Sequence, residues 1–266
     1  MKKIGYCKAE KYLVRGPDYH WKAVTGSKID LKCLARYNLA LKALSPELKG
    51  CRVLDAGCGD GVLSYMLARE GAEVYGIDIS REALRVAKKR CGNARFYQAS
   101  IYNLPFPDKF FDHITCLEVI EHLADPDKAL TELKRVWKGS GKIVITTPIY
   151  HGRLNPYHVK EYAESEFLKL IRRNFPQERF KIIKFGVFLP PSLRKFKIFR
   201  YSPISGLIKI IYRLTKVNLH ETPLFLQILP KKHQAAIIEK VSHGQNSITL
   251  TEPYNAGTRQ ASIQGS

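Results

Sequence analysis

The stretch VLDAGCGDG, Val53 to Gly61, constrains the fold more than any other part of the chain. An apolar run stops at glycines, and a helical pattern, GVLSYMLARE, begins at the last of them. A strand that becomes a helix within a few residues needs a tight turn. Gly57 and Gly59 allow one because they carry no Cβ. They also let a ligand lie against bare backbone, facing the open N–H groups of the helix start. A second strand, EVYGIDI, carries Asp78 near its end, 21 residues beyond Gly57. A carboxylate there can grip a ribose 2′-hydroxyl. Loop, strand order and acid together specify a nucleotide-type crevice.

Strand and helix alternate through this region. IDLKCLARYNLALKAL (29–44) places Leu34, Tyr37, Leu41 and Leu44 at helical spacing. Ser80 serves as N-cap for a helix reaching about Arg90, with Gly92 as its stop. ARFYQAS and FDHITCLEV read as strands, and Asp125-Pro126 as an N-cap with a first-turn proline. Leu130, Leu133 and Trp137 give the next helix an apolar face, Gly139 ends it, and KIVITTP is a β-branched strand. This order predicts an α/β fold with a mainly parallel sheet and helices on both faces. Further on, the pattern predicts a helix over 163–174, a strand in FKIIKFGVF and a last strand in PLFLQIL (223–229). From about residue 243 the chain is rich in Ser, Thr, Gln and Gly, so 243–266 is expected to be a disordered tail.

The six cysteines form no CxxC pair, which argues against a zinc site or a disulfide framework and for buried thiols in a reducing compartment. No apolar run is long enough to span a bilayer. The basic start MKKIGYCKAEK lacks the apolar core of a signal peptide, so a cytoplasmic location is expected. The net charge of +20 draws nucleic acid, anionic lipid or acidic small molecules without choosing among them.

Two nucleotide ligands suit the loop. A dinucleotide asks for GxGxxG, and Val62 stands where the third glycine belongs. Asp55 also lies beside the loop, where its charge disfavours a pyrophosphate. S-adenosylmethionine has no phosphate and carries cationic sulfonium and ammonium groups, so an acidic loop suits it better.

On VLDAGCGDG, GIDIS and the run NLPFPDKFFDHITCLEVIEHLADPDKALTELKRVWKGSGKIVITTP, residues 30–150 resemble the class I S-adenosylmethionine-dependent methyltransferases. The resemblance implies a Rossmann-like sheet of seven strands whose last two form an antiparallel hairpin, and the residue pattern adds a helical insertion before the last strand. The domain would cover residues 29–230. By position, Gly57, Cys58 and Gly59 would contact the cofactor, with Asp55 near its methionine moiety. Asp78 would hold the ribose and Ile79 would pack on adenine. The family often places an acid after the third strand. This chain has Ser100, whose hydroxyl, or the Ile101 amide, would take over that contact. The chemistry would be direct displacement of an activated methyl, with positioning as the main task.

CLEVIEHL follows the fourth strand and carries Glu118, Glu121 and His122 at i, i+3 and i+4. If the chain turns helical there, all three project to one side. Within the superfamily, E-x-x-E-H resembles two groups that use it to bind a divalent cation such as magnesium: the ubiquinone-biosynthesis O-methyltransferases and the small-RNA 3′-terminal 2′-O-methyltransferases. The RNA group adds a later histidine, and NPYHVKEY supplies His158. Glu118, Glu121, His122 and His158 therefore form one expected metal set. In a metal-free reading, Glu118 lines the cofactor cleft, and His122, with Glu121 and His158 beside it, orients the substrate or acts as base. In a third reading the acids only start a helix.

Between Glu178 and Glu221 there is no acidic residue. The basic, partly amphipathic insertion 190–220 would serve as a lid, meet an anionic membrane surface or meet RNA phosphates. Residues 1–28 form an N-terminal segment suited to be a substrate lid, with Tyr19, His20 and Trp21 closing the pocket. The leading expectation is methyl transfer to oxygen on a small or lipid-linked acceptor. An RNA 2′-O-methyltransferase and a non-catalytic partner subunit stand behind it.

Overall fold

The computed structural model describes residues 12, 14–25, 30–152, 154–187 and 231–240. In chain order the elements are α1 (Tyr19–Thr25), α2 (Leu31–Leu44), β1 (Arg52–Ala56), α3 (Val62–Arg69), β2 (Glu73–Asp78), α4 (Arg81–Arg90), β3 (Ala94–Gln98), β4 (His113–Leu117), α5 (Pro126–Val136), β5 (Lys142–Pro148), α6 (Glu164–Asn174), β6 (Glu178–Val187) and β7 (Lys231–Lys240). Local chemistry sets their starts. Asp30 caps α2 by accepting from the Lys32 and Cys33 amides, Ser80 caps α4 at Ala83 N, and Asp125 caps α5 at Lys128 N with Pro126 behind it.

The seven strands form one sheet in the order β3-β2-β1-β4-β5-β7-β6. β1 pairs in parallel with β2 and β4, and β4 with β5, whereas β7 runs antiparallel between β5 and β6. Alternate residues of each strand feed opposite cores. Val53 and Val74 face α1 to α4, packing with Trp21, Leu39, Leu67 and Leu84. Leu54 and Ile77 face α5 and α6, packing with Leu130, Leu133, Phe167 and Ile171. The strand order reverses between β1 and β4. At such a switch point a crevice opens outside the carboxyl ends of the strands.

The hairpin agrees with expectation, but its last strand lies elsewhere. The apolar run 223–229 falls outside the described residues, as do the basic insertion 190–220 and the tail 243–266. The described strand, KKHQAAIIEK, extends the sheet past residue 230. Its centre is polar and small: Gln234, Ala235 and Ala236 are fully buried. Such residues have weak strand preference alone, and pairing on both edges makes them a strand. No helix among the described residues is long and apolar enough to cross a membrane.

Candidate active site

The glycine turn is held largely by hydrogen bonds to the end of β2. Gly57, Gly59 and Gly61 have φ of 75°, 56° and 84°, a region that penalises any Cβ. The amides of Gly57 and Cys58 donate to the Ile77 carbonyl at 2.8 and 2.9 Å. Asp78 receives the Gly59 amide on Oδ2 and the Ser80 amide on Oδ1, each at 2.9 Å. The carboxylate is thereby locked at the end of β2, and each oxygen can accept a second bond. Next to it Ile79 is 38% exposed, an apolar side chain left open just past the end of β2. Ser100 accepts from Tyr102 N at 3.2 Å and shapes the turn after β3, with Ile101 buried behind it. Asp55 is buried and receives the Ser64 hydroxyl at 2.7 Å and the Thr115 hydroxyl at 3.0 Å, tying β1 to α3 and β4. A narrow cleft beside it is lined by Gly57, Cys58, Leu63 and Leu117.

A second cavity, about 550 Å³, opens beyond that cleft between the N-terminal segment, α2 and the loop after β5. His20, Arg36 and Glu118 line both spaces and so mark their junction. Glu118 departs from the expected helical arrangement. Its φ is +55°, so the chain turns back before the 3-10 turn Ile120–His122, and its side chain parts from Glu121 and His122. Its carboxylate meets Arg36 at 3.2 Å, His233 at 3.1 Å and the Thr146 hydroxyl at 3.0 Å. Burial alone would raise this carboxyl. The charges of His233 and Arg36, with the Thr146 hydrogen bond, overcome it and hold Glu118 well below the usual carboxylate range. Glu118 is therefore the ionised wall of the junction rather than a member of the expected metal set.

The other three residues do come together. Oxygen or nitrogen atoms of Glu121, His122 and His158 all lie within 4.8 Å of one another. Glu121 is 1% exposed and accepts from the Thr147 hydroxyl at 3.3 Å. Its backbone carbonyl receives the Val159 and Lys160 amides, which pins the loop carrying His158 onto the turn after β4. His122 Nδ1 lies 2.8 Å from the Tyr157 carbonyl, and His158 Nδ1 lies 2.6 Å from Glu161. A carbonyl and a carboxylate only accept, so both Nδ1 atoms donate. In neutral rings each Nε2 is then a lone-pair nitrogen. His122 Nε2 stands 3.8 Å from the Glu121 carboxylate. A lone pair facing an anion calls for a cation, either a proton or a metal ion. Imidazoles steered through Nδ1 in this way are typical of metal ligands.

Sequence reasoning missed Arg36, His233 and Asp60. Arg36 lies among apolar positions of α2, and His233 sits in the strand with little apolar signal. Asp60, inside the glycine motif, is fully buried and binds the N-terminal segment.

Comparison with known proteins agrees with this architecture. Residues 54–145 match the family model described as a methyltransferase domain. A probable S-adenosylmethionine-dependent methyltransferase of Mycobacterium tuberculosis is 31% identical over 143 residues, 51% of this chain and 52% of that protein. A ubiquinone biosynthesis O-methyltransferase of Alkalilimnicola ehrlichii is 40% identical over 105 residues, 38% of this chain and 42% of its own. The chain thus spans about half the length, or less, of these curated relatives. Among solved structures, a SAM-dependent methyltransferase from Archaeoglobus fulgidus superposes with a TM-score of 0.56 at 19% identity, covering 84% of this chain and all of its own. The [4+2]-cyclase SpnF superposes with a TM-score of 0.58 at 19% identity, covering 89% and 98%. At these identities the superpositions speak for the fold alone. The glycine turn, the locked acid at the end of β2 and the seven-stranded sheet thus surround a segment, residues 54–145, that matches a methyltransferase domain.

Proposed function

We propose that the protein transfers the methyl group of S-adenosylmethionine to an oxygen of a small or lipid-linked acceptor held in the 550 Å³ cavity. The observation that carries this reading is the Glu121–His122–His158 cluster beside a cavity that meets the cofactor cleft at His20, Arg36 and Glu118. Asp78 holds the ribose, Ile79 packs on the adenine, and Asp55, with Gly57, Cys58 and Gly59, lines the methionine end. Glu118, kept ionised by Arg36 and His233, favours the cationic sulfonium at the junction.

The cluster fits a divalent cation. Two imidazole nitrogens and one carboxylate suit a first-row transition metal better than magnesium, which prefers oxygen ligands. Such an ion supplies Lewis acidity that lowers the pKa of a bound hydroxyl. Tyr157 and Glu161 hold the two imidazoles in the tautomer that binding requires, and Thr147 orients Glu121.

Tritiated-methyl S-adenosylmethionine, incubated with the purified protein and a cell extract, tests the reading. Label is expected in the small-molecule or lipid fraction, and exhaustive chelation should remove it. Label in RNA would favour the 2′-O-methyltransferase reading, which the arrival of His158 at Glu121 and His122 supports. Failure to bind S-adenosylmethionine in calorimetry would sink both and leave the partner-subunit reading.

A further inference from the structure

His20 occupies a position that the methyl-transfer reading leaves without a role. It comes from α1, far in sequence from the cluster, yet it lines both the cofactor cleft and the acceptor cavity. The residue is 8% exposed, and its imidazole is held by an acid. Nδ1 stands 2.9 Å from Asp60 Oδ1. The same carboxylate receives the His20 amide at 2.7 Å and the Trp21 amide at 3.2 Å, and the Asp60 carbonyl receives Trp21 Nε1 at 2.6 Å. Asp60 belongs to the glycine turn itself. Four contacts therefore fasten the start of α1 to the loop that carries the cofactor, and they fix the imidazole with respect to it.

The dyad has the parts of a general base. An ionised carboxylate accepts from Nδ1, sets the tautomer and leaves Nε2 as the nitrogen that takes a proton. It also stabilises the imidazolium that results. Tyr12 and Tyr19 pack edge-on against the ring, with centroids at 5.8 and 4.9 Å, and limit its rotation. Arg36 and Glu118, the other two junction residues, are bound to each other, and neither suits proton removal: a guanidinium stays charged, and Glu118 is held at a low pKa.

We infer that the Asp60–His20 pair is the general base for an oxygen acceptor at the junction of the cofactor cleft and the acceptor cavity. The inference rests on the proposed methyl transfer to oxygen. In the step, His20 Nε2 takes the proton of the acceptor hydroxyl. The oxygen electron pair forms a bond to the methyl carbon, and the C–S bond breaks with its pair going to sulfur. The products are the methyl ether, neutral S-adenosylhomocysteine and a protonated His20, which later releases its proton to water. The proton then goes to His20 and not to the Glu121–His122–His158 cluster, of which His158 lines the same cavity.

The test uses the full chain and the extract fraction that accepts label. His20→Ala and Asp60→Asn should each slow single-turnover transfer, by roughly 10²–10⁴-fold for His20→Ala. Calorimetric affinity for S-adenosylmethionine should fall far less than the transfer rate in His20→Ala. Added imidazole should restore His20→Ala and leave Asp60→Asn unchanged, a rescue that a purely structural role would not give. Unchanged rates, or a loss in His20→Ala that imidazole does not rescue, overturn the inference. Nitrogen-15 histidine NMR of the complex with S-adenosylhomocysteine reads the dyad without any acceptor. A proton on Nδ1 whose shift moves in Asp60→Asn is expected, and an Nε2–H tautomer overturns the inference. If the wild type labels no fraction, the methyl-transfer reading fails on its own, while the tautomer still decides the dyad.

Discussion

The two halves of the crevice are built in opposite ways. The centre of the cofactor half, from β1 to the end of β2, comes from 27 consecutive positions, 52–78, tied together by bonds such as Gly59 to Asp78 and Cys58 to Ile77. The acceptor half is assembled from distant segments: His20 from α1, Arg36 from α2, Glu118 after β4, His158 after β5 and His233 in β7. Local bonding makes the first half a fixed platform. The second depends on how separate elements pack. The family match over residues 54–145 fits that division, since it holds most of the cofactor half and ends before His158 and His233.

Substitutions separate the halves most sharply at the metal-type cluster. Glu121→Ala, His122→Ala and His158→Ala should each cut methyl transfer by roughly 10²-fold with cofactor affinity nearly unchanged, as measured by single-turnover assay and calorimetry. Equal losses in both would mean that the halves are not separable.

Glu118 tests the seam. Replacing it by Gln leaves Arg36 and His233 without their shared anion. The expected loss is about 3 kcal/mol at neutral pH by denaturant titration. The folded pKa is depressed, so this contribution is complete well above 4.5, the ordinary glutamate value. It declines as the pH falls below 4.5 and is gone once the pH lies below the folded value. The gap between wild type and Glu118→Gln should therefore close in acid. A constant gap would show that the carboxylate charge is not what matters.

Asp78→Ala should act on the other half alone. Loss of a charged hydrogen-bonding group to the ribose is expected to weaken S-adenosylmethionine binding by roughly 10–100-fold, from about 1.5–3 kcal/mol. Acceptor methylation at saturating cofactor should recover. Smallest of all, Val14→Ser should shift stability by no more than about 0.5 kcal/mol, because the side chain is 69% exposed and lines neither space.

The same contrast explains which residues are legible in the amino-acid order. Ser80, Asp125 and Asp30 act within a few residues of themselves, and the caps at Ser80 and Asp125 can be read from their neighbours. The glycine turn and Asp78 are equally readable, since their spacing is a property of one βαβ unit. Glu118 defeats the expectation of a helical continuation after β4, because its positive φ turns it toward Arg36 and His233. β7 escapes a reading by pattern because Gln234, Ala235 and Ala236 look like neither strand nor core until β5 and β6 flank them. His158 lies beside Glu121 and His122 as expected, yet the hydrogen bond from its Nδ1 to Glu161, which fixes its tautomer, is visible only in three dimensions.

By itself, the sequence determined the alternating parallel sheet, the glycine turn and the acid at the end of β2, because periodicity, missing Cβ atoms and short spacing act locally. Tertiary structure alone decided which charged residues share a space. Glu118 joins Arg36 and His233 instead of its neighbours Glu121 and His122, and Asp60 reaches back 40 residues to His20. The physical reason is that buried charges must find partners, and packing, not chain order, determines which ones they meet.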